Sequence, residues 1–114
     1  MNIQTVTLKG QRYVILPEKD YRWLQSRAGE IGLPPLPPKD AHGNYPTIEA
    51  MRVTMARTII RRRRAVGLTQ VELARRAGVR QETLSRLEHG KHTASLPTIR
   101  KIEAALEATE SEAE

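Results

Sequence analysis

Apolar and polar positions change their period along the chain, and the changes divide it. Ile3, Thr5 and Thr7 alternate with Gln4, Val6 and Leu8, Lys9-Gly10 supplies a turn, and Tyr13-Val14-Ile15-Leu16 is an apolar run, so residues 3–16 read as a β-hairpin. Pro17 permits a new start. From Glu18 to Ala28 the spacing becomes helical: Tyr21, Leu24 and Ala28 share a face, Glu18 and Asp20 occupy the first turn where the helix dipole favours carboxylates, and Gly29 suits the end. A two-stranded hairpin is not stable alone in water, so this segment must pack on its helix, on the rest of the chain or on a second molecule. Trp23, between Tyr21 and Leu24, fits a core anchor or a partner contact.

Residues 33–46 contain five prolines, a composition that predicts an extended, semi-rigid linker. A long helix follows from about Thr47 to Val66, with Ile48, Met51, Met55, Ile59 and Val66 as its expected buried stripe. Within it, Arg61-Arg62-Arg63-Arg64 points in four directions and cannot form a single patch. Two short helices come next. Thr69 with Glu72 forms a capping box, Leu73, Ala74 and Ala77 share a face, and Gly78 closes the first. The second, Gln81 to Glu88, carries Leu84 and Leu87 inward and turns Gln81, Glu82, Ser85, Arg86 and His89 outward. Arg and Gln are the side chains that pair bidentately with guanine and adenine edges in a major groove, although an ordinary helical hairpin with a solvated polar face has the same periodicity. Residues 107–114 are acidic with no apolar period beyond Ala108, and are expected to fray.

The run GLTQVELARRAGVRQETLSRLEHGK, followed by SLPTIRKIEAAL, resembles the XRE family of Cro- and phage-repressor-like helix-turn-helix domains from about Met55 to Leu106. The shared features are the Thr-Gln at the start of one helix, the Ala-x-x-x-Gly turn and the closing Leu-Glu-x-Gly-Lys. The resemblance implies a mainly α fold, a five-helix domain over residues 47–106 whose third helix enters the major groove, preceded by the hairpin–helix module of residues 1–32. It further implies that Gln70 touches phosphate, that Arg80, Gln81, Glu82, Thr83, Ser85, Arg86 and Lys91 form the DNA-facing set, and that Arg63 pairs with Glu88. Arg80 stands where the family usually has a capping Ser, Thr or Asp; the cap is lost and a cation is gained beside the expected DNA surface. TVTLKGQRYVILPEKDYRWL resembles the Phd/YefM antitoxins, which implies dimer or partner contacts at Val14, Leu16, Tyr21, Trp23 and Leu24. The combination resembles HigA-type antitoxins and implies an operator-binding repressor that neutralises a small RelE- or HigB-like toxin; a free-standing regulator with a dimerising N-terminal module is the alternative.

Charge sharpens this picture. The formal net charge of +6 is distributed as +2 over residues 1–46, +9 over residues 47–101 and −5 over residues 102–114, so the basicity sits on the part expected to meet phosphates. With no cysteine, thiolate catalysis and Cys-ligated zinc are excluded. His42, His89 and His92 have no metal-ligand spacing, and Ser85 with His89 one turn away lacks an orienting carboxylate and an oxyanion site. The expectation is therefore a non-enzymatic, cytoplasmic protein without cofactor, metal or membrane span, acting as a homodimer on double-stranded DNA.

Overall fold

The computed structural model describes residues 3–112, with Ser26 by its backbone alone. It divides into two compact units, Met1–Ile31 and Gly32–Glu114.

In the first unit β1 (Gln4–Leu8) pairs antiparallel with β2 (Gln11–Ile15), Val6 opposite Tyr13 and Leu8 opposite Gln11. The turn between them places Lys9 at φ 51° and Gly10 at φ 76°, the two left-handed residues whose twist matches the flanking strands. Leu16 lies just past β2 and is half-buried. Helix α1 (Glu18–Glu30) starts after Pro17 and runs two residues beyond the expected end, taking Gly29 inside it, before Gly32 at φ 71° turns the chain. No residue of this unit is buried among those described. Trp23 is half in solvent with the Arg27 guanidinium 5.0 Å over its ring, so the core-anchor reading of Trp23 fails. A hairpin and one helix enclose too little volume to bury it.

The second unit holds α2 (Thr47–Ala65), α3 (Gln70–Ala77), α4 (Gln81–Glu88) and α5 (Leu96–Glu112). With α1, the described residues contain five helices and one hairpin. Leu73, Leu84, Leu87, Ile102 and Leu106 are the largest fully buried side chains; Ile59, Leu68 and Ala74 complete the core around them. The stripe expected along α2 is displaced. Val53, Ala56, Ile59 and Ile60 are buried, Val66 is half-buried, and Ile48, Met51 and Met55 are exposed. Helical period alone allows several faces, and the neighbouring helices cover a different one from that expected in the first turns.

Of the acidic tail expected to fray, residues 107–112 do not, and residues 113 and 114 lie outside the described residues. Residues 107–112 are the last turns of α5, with Thr109 buried and its hydroxyl donating to the Ala105 carbonyl. Arg62 of α2 donates to Glu103 at 2.6 Å and to both carboxylate oxygens of Glu110 at 2.6 and 3.0 Å, and Arg76 of α3 reaches Thr109 and Glu112. These cations lie more than thirty residues upstream, where a local reading of the tail does not find them. The hydrogen bonds that Arg62 donates to Glu110 and Glu103 raise its pKa, and the same bond from Arg62 holds the Glu110 carboxyl below its ordinary value.

The proline-rich segment is also different from a free spacer. Pro34 and Val53 both lie against Gly90, which follows α4: a Cβ there would meet Val53 at 3.3 Å and Pro34 at 3.5 Å. Residues 34–38 therefore form a strap beside α2 and the exit of α4, within the second unit.

Candidate nucleic-acid interface

Helices α3 and α4 are set by local chemistry at their ends. The Thr69 hydroxyl accepts from the Glu72 amide at 3.1 Å, while the Glu72 carboxylate accepts from the Thr69 amide at 3.4 Å and the Thr69 hydroxyl at 3.0 Å, so the start of α3 is fixed by its own side chains. Gly78 adopts the left-handed conformation, φ 70°, that a helix-ending residue needs here. At α4 no side chain caps the first turn; Arg80 holds the N-cap position and is exposed. The missing cap leaves the first amides of α4 without a side-chain acceptor from the N-cap residue.

Behind α4 lies the most buried charge of the described chain. Arg63 donates to Glu88 through Nε and Nη2, both at 2.8 Å, and through Nη1 to the Leu68 carbonyl at 2.9 Å. The two side chains are only 11% and 4% exposed, so the bidentate pair is largely withdrawn from water. The amide of Gln70 donates to Glu88 Oε1 at 3.0 Å, and Gln81 donates in turn to Gln70 Oε1 at 3.2 Å. A continuous chain of hydrogen bonds thus runs from α2 through Glu88 and the start of α3 to the first residue of α4. Its consequence is positional: Gln81 is held at the surface by a partner that is itself anchored to a buried ion pair.

The outward residues of α4 fall where the sequence placed them on the helix. Gln81, Glu82 and Arg86 are exposed, Thr83 and Ser85 are half-buried, and Lys91 is exposed just beyond the helix. Thr83 and Arg86 border the loop that connects α4 to α5, together with His92 and Thr93. Gln70, expected at phosphate, has its amide group engaged by Glu88 and Gln81 inside the protein. His89 uses Nδ1 to donate to the Ser85 carbonyl at 2.6 Å. The residues expected to meet a partner in the first unit, Val14, Tyr21, Trp23 and Leu24, are exposed, and Leu16 is half-buried. The sequence reading missed the Arg62–Glu110 clasp and the strap over Gly90. The only local hint of the clasp is the coincidence of an arginine run with an acidic end.

Two short helices, a left-handed glycine between them, and a second helix with a polar outer face on a buried Arg–Glu pair match a known arrangement. The helix-turn-helix family matches residues 59–112. A protein of Methanothermobacter thermautotrophicus described as an HTH-type transcriptional regulator is 47% identical over 51 residues, which cover 44% of this chain and 74% of that protein. The chain belongs to the helix-turn-helix family of DNA-binding transcriptional regulators. No solved structure matches it. In helix-turn-helix terms α3 is the supporting helix and α4 the recognition helix. The family match begins at residue 59, so the first three turns of α2 and the strap lie before it. No helix among the described residues is long and apolar enough to cross a membrane.

Proposed function

We propose that this chain is a sequence-specific repressor that binds a pseudo-palindromic operator in double-stranded DNA as a homodimer, and that it serves as the antitoxin of a type II toxin–antitoxin pair, repressing its own operon and neutralising a small RelE- or HigB-like toxin. The observation that carries the DNA-binding part is the chain of hydrogen bonds from the Arg63–Glu88 pair through Gln70 to Gln81, which holds a base-reading side chain at the exposed start of α4. With α4 in the major groove, Gln81 and Arg86 present the donors and acceptors that adenine and guanine edges pair with, while Thr83 and Ser85 supply shorter contacts. Arg80, the uncapped amides of α4 and Lys91 meet phosphate and set register without carrying sequence information. Glu82 stands among these cations as an acceptor for a cytosine amino group.

One recognition helix covers few base pairs, and a second copy supplies the other half-site about one helical turn away. What supports protein assembly through the first unit is its surface: Tyr13, Val14, Ile15, Tyr21 and Trp23 are each about half exposed or more, in a unit without a core of its own. Such apolar area is what a dimer or toxin contact covers.

Light scattering of the full chain and of a chain lacking residues 1–31, each with and without the product of the neighbouring gene, tests the assembly half. The expected result is a dimer that captures a small basic toxin when full-length, and a truncated monomer that keeps its helical spectrum and binds half-sites weakly, because linkage no longer supplies avidity. A truncated chain that stays dimeric would move the contacts into the helical domain. A full-length dimer whose neighbour encodes no protein toxic by itself would leave a free-standing regulator.

A further inference from the structure

The turn after the recognition helix has a cationic neighbour that the family match does not reach. Val53 of α2 is in van der Waals range of the Gly90 turn, so the adjacent Arg52 stands beside the exit of α4. Arg52 shares one groove, of about 450 Å³, with the strap, His89 and Lys91, and a second hollow with His92 and Thr93. It is half-buried, and its Nε is buried without a hydrogen-bond partner among the described residues. No carboxylate of the described residues lies within ion-pair distance of it, although Glu49 lines the same groove. A partly desolvated guanidinium with no internal anion is uncommon, because its burial is normally offset by a paired carboxylate.

We infer that Arg52 is a backbone-phosphate contact, extending the DNA interface from Lys91 across the Gly90 turn onto the part of α2 that precedes the family match. The inference rests on the DNA-binding reading above. A guanidinium takes two phosphate oxygens in its planar fork, and the strap and α2 exclude water from one side of it, which strengthens the contact. Pro34 and Val53 pack close to the Gly90 turn, and Arg52 and Lys91 line the same groove beside the exit of α4. A contact of this kind adds affinity on every sequence and fixes register without choosing bases.

The test measures the salt dependence of duplex binding by full-length chain, wild type, Arg52→Gln and Arg52→Lys, on a selected operator and on a scrambled duplex, with thermal melts of each variant. A neutralised phosphate contributes about 0.9 to the slope of log K against log salt concentration. Arg52→Gln is therefore expected to lower that slope by about 0.9 for each chain bound, on both duplexes and at unchanged preference between them, while Arg52→Lys keeps the wild-type slope. An unchanged slope in Arg52→Gln overturns the inference, and so does a Lys variant that loses as much as the Gln variant. In either case wild-type binding to the operator still stands; failure of the wild-type chain to bind any duplex would instead remove the DNA-binding reading itself.

Discussion

Glu88 accepts three hydrogen bonds, two from Arg63 and one from Gln70, at 4% side-chain exposure. Its replacement by Gln keeps the shape and removes the charge, leaving the Arg63 guanidinium buried without an anion. The expected cost is about 3–5 kcal/mol, the range for breaking a buried pair from one side, read as a fall in the melting temperature. An unmoved melting temperature would show the pair to be solvated. Gln70 is a separate test, because its amide is the link between that pair and Gln81. Gln70→Ala is expected to weaken operator binding more than binding to scrambled DNA, since it unties Gln81, the side chain proposed to read a base; equal weakening on both duplexes would return Gln70 to a plain phosphate contact. The Arg63–Glu88 pair was readable through family resemblance, but the Gln70–Glu88 and Gln81–Gln70 bonds join residues 18 and 11 apart and became visible only once the helices were packed.

At the scale of elements, the ends of α3 were legible because they are decided locally: a capping box spans four residues and a left-handed glycine one. Faces and endings decided by distant residues were not. Ile48, Met51 and Met55 have the spacing of a buried stripe, yet they are exposed and α2 buries Val53, Ala56, Ile59 and Ile60 instead. The acidic end of α5 has the composition of a solvated tail, and only the arrival of Arg62 and Arg76 turns it into a clasp. That clasp has a pH signature. Because Arg62 holds the Glu110 pKa below its ordinary value of 4.5, the stability it gives is fully present above pH 4.5 and is lost as pH falls through the lower folded value. Glu110→Gln is accordingly expected to lower the melting temperature at neutral pH and to flatten the acid limb of the stability profile relative to wild type. An acid limb of unchanged steepness in Glu110→Gln would mean that Glu110 titrates alike in folded and unfolded chains.

On the scale of the whole molecule, the basic charge is concentrated in one stretch of the chain. The stretch from residue 47 to residue 101 carries +9 and includes both helices of the reading head, while the first unit is nearly neutral and exposes its aromatic and β-branched side chains. The hairpin, α1 and the helical domain were each legible as separate pieces, since each has its own period and its own punctuation by Pro or Gly. The strap was not, because a proline-rich sequence specifies extension and leaves unstated the surface it lies on. The central claim, that α4 reads base sequence, has a direct measurement. Full-length chain is titrated on an operator selected from random duplexes and on its scrambled counterpart, alongside Arg86→Ala and Gln81→Ala. Each substitution is expected to remove about 1–3 kcal/mol of the preference for operator while leaving binding to scrambled DNA little changed. Wild-type selection that enriches no sequence, or variants that keep the full preference, would contradict the account.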